Sequence, residues 1–269
     1  MKRIAGVLSL SAAFTFAAAA QAQTRQGFEI GIEGYSYRYD ETYEGREIVQ
    51  DRGRLFGLTV DYGRGLGPWE LRLKGRAAGG YVDYESDEGD RLDDVVQATV
   101  QTEVHVGRPL ALSPTATLTP FAGLGARGHG DAGAGRVTDT GLEAYDRYIF
   151  YAYAPVGAVA EFRSGPRTTV SLGAQYNLFL GGDSLAELSG IDPEAPDVEL
   201  ELEDGYGWEL NAAVHHAVGG RTVSFGPYLR YWDIEESTHQ TFRDEEFEVE
   251  FFEPSNTTLE VGLRLAYRF

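Results

Sequence analysis

The sequence predicts an all-β fold: a transmembrane antiparallel up-and-down β-barrel of ten strands, with eight and twelve as the alternative counts. Three observations predict it. Apolar residues recur at every second position in one segment after another, the mark of a strand with one apolar face. The connections between these segments alternate between short and long. Charge is almost absent from the apolar phase between its ends.

Ten alternating segments can be marked, at 27–38, 54–62, 69–82, 94–107, 115–127, 147–163, 167–181, 205–217, 222–234 and 257–269. In the first two, Glu29, Glu33 and Asp61 fall on the polar phase and Tyr62 on the apolar one. The third is the clearest. Trp69, Leu71, Leu73, Gly75, Ala77, Gly79 and Tyr81 share one face, and Glu70, Arg72, Lys74 and Arg76 the other. The fourth and fifth place Glu103 and Gly123 on the polar phase. In the sixth, Tyr148 and Phe162 lie opposite Glu161 and Arg163, and the seventh carries Gly173 inward. The eighth and ninth set Tyr206, Trp208, Phe225 and Tyr231 against Glu209, Gly226 and Arg230. In the last, Leu259, Val261, Leu263, Leu265, Tyr267 and Phe269 oppose Glu260, Gly262, Arg264, Ala266 and Arg268.

Short turns bearing Gly or Pro are expected at 63–68, 108–114, 164–166 and 219–221, and long connections at 39–53, 83–93, 128–146, 182–204 and 235–256. A charge on a lipid face at mid-bilayer costs roughly 2–4 kcal/mol, so the segregation of charge to one phase is what a barrel requires. Apolar-phase aromatics gather at both strand ends. Tyr62, Trp69, Phe162, Phe225 and Tyr267 mark the turn side, and Tyr81, Tyr148, Tyr206, Trp208 and Tyr231 the loop side. Two such girdles suit two membrane interfaces. Residues 1–22 are expected to be a cleaved signal peptide, with Lys2 and Arg3 ahead of an apolar stretch and Ala20-Gln21-Ala22 as the cleavage site. Residues 23–269 then form one barrel domain, exported from the cytoplasm.

Composition narrows the function. The 269 residues include no Cys, 42 acidic and 23 basic residues, for a formal net charge of −19. Thiol chemistry, disulfides and Cys-ligated metals are excluded. The acidic balance argues against nucleic acid as a partner. Mean hydropathy is −0.30, and no long apolar run follows the first segment, so a helical membrane protein is not expected.

With this signal segment, strands over nearly all of the remaining chain and the end Leu263-Arg264-Leu265-Ala266-Tyr267-Arg268-Phe269, the chain resembles bacterial outer-membrane β-barrel proteins of the small, porin-like or opacity-like kind. The resemblance implies the outer membrane of a Gram-negative bacterium, contact with its lipid and lipopolysaccharide, and recognition of the terminal strand, with Tyr267 and Phe269, by the barrel assembly machinery. It implies no particular solute or oligomeric state.

The lumen-facing charges expected are Glu29, Glu33, Arg72, Lys74, Arg76, Glu103, Glu161, Arg163, Glu209, Arg230, Glu260 and Arg264. Either they satisfy one another in a polar core or they line a narrow water path. The long connections hold most of the negative charge; residues 182–205 alone carry nine acids and no base. If the strands continue outward without a bulge, Glu199, Glu201, Glu203, Glu246, Glu248 and Glu250 point into the mouth, where they would favour cations or hold Ca²⁺ or Mg²⁺ loosely. Otherwise they are a solvated surface. No cofactor is expected. The leading expectation is a non-enzymatic, porin-like barrel favouring cations, with a surface-binding, adhesin-like barrel second. An omptin-like protease is third, since Asp83, Glu85 and His239 sit at the outer rim but the Asp-x-His arrangement of that family is missing. His105 and His215 point inward, where polar networks are expected to hold them.

Overall fold

The computed structural model describes residues 26–243 and 248–269, so the segment expected to be a signal peptide lies outside the described residues. The strands are β1 (Gly27–Tyr43), β2 (Arg46–Leu66), β3 (Trp69–Ser86), β4 (Arg91–Gly107), β5 (Leu110–Ser113), β6 (Ala116–Ala132), β7 (Asp146–Arg163), β8 (Thr168–Glu187), β9 (Val198–Leu202), β10 (Gly205–Val218), β11 (Arg221–Ile234), β12 (Gln240–Arg243), β13 (Glu248–Phe251) and β14 (Ser255–Arg268). Ten of them close an antiparallel barrel in the order β1-β2-β3-β4-β6-β7-β8-β10-β11-β14, with β14 paired back to β1. Closure leaves these ten strands with no open edge in the bilayer, the condition a spanning sheet must meet. The short strands β5, β9, β12 and β13 belong to the connections.

The apolar phase faces outward, as expected. Phe56 and Leu58 on β2 are 70% and 59% exposed, and Ile32, Leu124, Leu172, Val261 and Leu263 form the same belt on other strands. Each would be costly in water and is at home against acyl chains. Turns on one side are short: Gly67-Pro68 joins β2 to β3, and Gly219-Gly220 joins β10 to β11 with both glycines at positive φ.

The outer side differs from the expected long loops. β1 and β2 run on to a two-residue hairpin at Glu44-Gly45, with φ of 50° and 74°. That mirror-image turn matches the twist of the flanking strands. β3 and β4 likewise extend to residues 86 and 91. These arms stand beyond the apolar belt, and their outward positions are polar: Arg38 pairs with Asp40 and Glu47, and Arg91 with Glu85.

β9 overturns one phase assignment. It pairs with the outer end of β8, from Gly182↔Leu202 to Ala186↔Val198. Val198, Leu200 and Leu202 are buried, whereas Glu199, Glu201 and Glu203 are exposed. On β10 the inward residues are Gly207 and Glu209. The parity changes at Glu203-Asp204, outside both strands, and a slip of one residue turns every side chain over. Burying three apolar residues rather than three carboxylates explains the choice.

Candidate functional site

The inward residues form three storeys. At mid-height, Glu260 on β14 is 0% exposed and accepts from three guanidinium groups. Arg127 Nη1 is 2.8 Å from one carboxylate oxygen, and Arg76 Nη1 and Arg230 Nη1 are 2.9 and 3.1 Å from the other. Arg76 Nε also donates to Glu33 at 2.7 Å, Arg230 Nε to Glu209 at 2.5 Å, and Arg264 Nη2 to Glu33 at 3.2 Å. β1, β3, β6, β10, β11 and β14 thus meet in one layer across the lumen. Such burial is tolerable only because every carboxylate is met by several donors. Glu33, Arg76, Glu209, Arg230, Glu260 and Arg264 stand together here. Arg127 is the member that sequence reasoning placed at the edge of a long connection; its phase on an extended fifth segment was the available signal.

Below, on the turn side, Lys74 donates to Glu103 at 2.8 Å, Arg72 to Asp61 at 2.8 Å, and Arg268 to Glu29 at 2.5 Å. Glu103 also accepts from Tyr153, Gln101 and Gln175. Glu161 and Arg163 line a mouth of about 320 Å³ opening on the turn side.

Above the ion-pair layer the lumen is aromatic, which its count of charges did not foretell. Tyr35, Tyr37, Tyr39, Tyr151, Tyr153 and Trp232 are buried together with Leu55, Ile149, Leu202 and Ile234. Arg127 lies over the Trp232 ring at 5.8 Å, and Arg76 over Tyr35 at 5.1 Å. Small inward residues make room for these rings: a Cβ on Gly125 would meet Tyr153 at 2.4 Å, and one on Gly207 would meet Trp232 at 2.5 Å.

The top storey lies in the arms beyond the belt. Arg147 on β7 pairs with Glu41, with Asp131 at 3.3 Å and with Glu253 at 3.4 Å. The Tyr39 hydroxyl lies 3.1 Å from carboxylate oxygens of both Glu41 and Glu253, and Ser184 donates to Glu253 at 3.0 Å. Asp51, on β2, is 4% exposed and makes no hydrogen bond or ion pair among the described residues. Burial, reinforced by the charges of Asp131 and Glu41 and only partly offset by Arg147, pushes its carboxyl up to about 8. Burial also raises Glu253 above the ordinary carboxyl range, against the pull of Arg147. Glu41, Asp51, Asp131 and Arg147 were not singled out from the sequence, because each fell in or beside a stretch read as a long connection.

Those expected mouth acids whose side chains the structure describes do not assemble. Glu199, Glu201 and Glu203 face outward. Glu246 lies outside the described residues, and Glu248 is placed on β13 by its backbone alone. Glu250 is exposed and meets His239: Nδ1 is 3.0 Å from Glu250 and Nε2 2.9 Å from Glu236, with the ring stacked on Phe252 at 4.8 Å. Hydrogen bonds to Glu236 and Glu250 raise the His239 pKa. Asp83 instead accepts from the Asp94 amide at 3.1 Å, and Glu85 pairs with Arg91. The acid pair and the histidine are therefore engaged separately. Among the described residues no group of three His, Asp or Glu is arranged to hold a metal ion.

No protein-family model and no curated protein matches the chain. Solved structures do. The outer membrane protease OmpT from Escherichia coli superposes with a TM-score of 0.57 at 11% identity, over 93% of this chain and 98% of that one. The Neisserial surface protein A gives a TM-score of 0.37 at 11% identity, over 91% and 98%. The beta domain of the Bordetella autotransporter BrkA gives 0.40 at 13% identity, over 91% and 99%. The fold is that of outer-membrane β-barrels, and a fold does not by itself set a function.

Proposed function

We propose that this chain is an outer-membrane barrel with a stoppered lumen that works at its outer face, binding cationic groups outside the cell. One observation carries the reading: the layer around Glu260 and the aromatic storey above it fill the lumen with side chains that are all but fully enclosed. Moving an ion through would require breaking buried charge pairs, at about 3–5 kcal/mol each. The acids that would have lined a cation-favouring mouth lie on the outer surface instead: Glu199 and Glu201 on the outward face of β9, Glu203 just beyond it, and Glu250 beside His239. This arrangement favours the surface-binding reading over the porin-like one.

An acidic exterior draws in cations and repels anionic lipopolysaccharide unless divalent ions bridge the two. The partners it fits are basic peptides and hydrated divalent ions, held loosely at the surface. The experiment is twofold. The folded protein in a planar bilayer should give no conductance steps, and an immobilised basic peptide should retain it in a salt-dependent way. Glu199→Gln with Glu201→Gln and Glu250→Gln should weaken that retention. Regular channel openings would overturn the stoppered lumen and restore the porin-like reading. Salt-independent retention, unchanged in the triple variant, would overturn the acidic surface as the binding element.

A further inference from the structure

Below the ion-pair layer, a Ser–His–Ser chain crosses three strands. Ser171 Oγ on β8 lies 2.8 Å from His215 Nε2 on β10, and His215 Nδ1 lies 2.7 Å from Ser224 Oγ on β11. All three residues are buried, Ser171 at 1% exposure. With the Nδ1 proton donated to Ser224, Nε2 is left as acceptor for the Ser171 hydroxyl. That is the order nucleophile, base and orienting group.

The next inward positions above this row are Gly173, Ala213 and Gly226. Gly226 has no room for a side chain, since a Cβ there would lie 1.8 Å from the Ala212 carbonyl oxygen. Beside this row lies a cavity of about 120 Å³, lined by Ser171, His215, Ser224, Asn211, Tyr228 and Arg264 among others. Two residues of that lining each carry a buried donor atom with no partner among the described residues: the hydroxyl of Tyr228, itself 4% exposed, and Arg264 Nε. A buried donor without a partner is satisfied only by a group that brings an acceptor oxygen. His215 also lines the turn-side mouth, so it stands where that mouth meets the cavity.

We propose that Ser171 and His215 form a nucleophilic dyad that hydrolyses small carboxylic esters entering from the turn side. Ser171 Oγ bonds to the carbonyl carbon as its proton passes to His215 Nε2. The bond to the alkoxy oxygen breaks, and the departing alcohol takes that proton. Water then adds to the acyl carbon and gives a proton to Nε2. The bond to Ser171 breaks, its oxygen recovers that proton, and the carboxylic acid leaves. This activity is independent of the outer-face binding proposed above.

The test uses the full chain folded in detergent micelles, with folding judged by heat-modifiable mobility. It is treated with a short-chain alkyl fluorophosphonate and mapped by mass spectrometry, and its hydrolysis of p-nitrophenyl acetate is followed. A covalent adduct on Ser171 is expected. Loss of the base in His215→Gln should slow adduct formation by roughly 100-fold or more. Hydrolysis should fall to the micelle background in Ser171→Ala. An unlabelled Ser171 in the folded wild-type protein overturns the proposal, and so does hydrolysis unchanged in Ser171→Ala. If the variants do not fold, the wild-type adduct map decides by itself.

Discussion

Arg127 on β6 and Glu260 on β14 meet at 2.8 Å with neither side chain exposed, although 133 residues separate them in the chain. The pair spans the lumen, so it ties opposite walls of the barrel as well as filling its centre. Removing one partner leaves the other charge buried without compensation. Arg127→Ala is expected to destabilise the barrel by about 3–5 kcal/mol, read as a lower urea midpoint for the loss of Trp fluorescence. A midpoint within error of wild type would mean that water already enters the layer.

The charges in that layer were legible from phase alone, because a lipid-facing charge is so costly that alternation assigns each one to a side. Glu33, Arg76, Glu209, Arg230, Glu260 and Arg264 follow directly. Arg127 was harder, since an outward run of Ala126, Gly128 and Gly130 is too small to advertise a lipid face. The outer arms were illegible for a related reason. Beyond the belt the outward positions meet water, so the apolar half of the alternation disappears while the strand continues. Tyr35, Tyr37 and Tyr39 then alternate with polar residues on the opposite phase. At β9 the alternation itself was visible, but its sign depended on the slip at Glu203-Asp204, which no local pattern encodes.

Asp51 makes stability depend on pH. Its carboxyl titrates near 8 in the folded chain, against an ordinary value of 3.8. Between those values the unfolded chain has released the proton and the folded one still holds it, so stability falls as pH rises through this window. The contribution is complete below about pH 4 and lost once pH passes 8. Asn resembles the protonated acid. Asp51→Asn is therefore expected to match wild type at pH 4 and to exceed it in urea midpoint at pH 9. Parallel midpoints at both pH values would show that Asp51 has a partner in solution.

His239 acts in the same sense, at the surface. Its raised pKa reflects two carboxylates, one on either ring nitrogen, and only the protonated ring donates to both. The clasp is present at low pH and is lost as pH rises through that raised value. It joins Glu236, ahead of β12, to Glu250 on β13, so it braces the last outer connection. In limited proteolysis at pH 6, His239→Ala should be cut within 235–256 faster than wild type. At pH 9 the two should be cut alike. Equal rates at pH 6 would show that the clasp contributes no order.

Gly226 is where the wall leaves no room for a side chain. Its Cβ would sit 1.8 Å from the Ala212 carbonyl oxygen and 2.7 Å from the Ala213 Cα, both backbone atoms of the neighbouring strand β10. A backbone obstacle cannot rotate away as a side chain can. Gly226→Ala should therefore force β10 and β11 apart, at a cost in the upper part of the roughly 1–3 kcal/mol typical of overpacking. Gly165 offers the matched control, since nothing lies within 4 Å of its added Cβ. Gly165→Ala should fold like wild type, while Gly226→Ala should yield less of the heat-modifiable folded form under the same refolding conditions. Equal yields and equal urea midpoints for the two variants would mean that the strands yield at this point without cost.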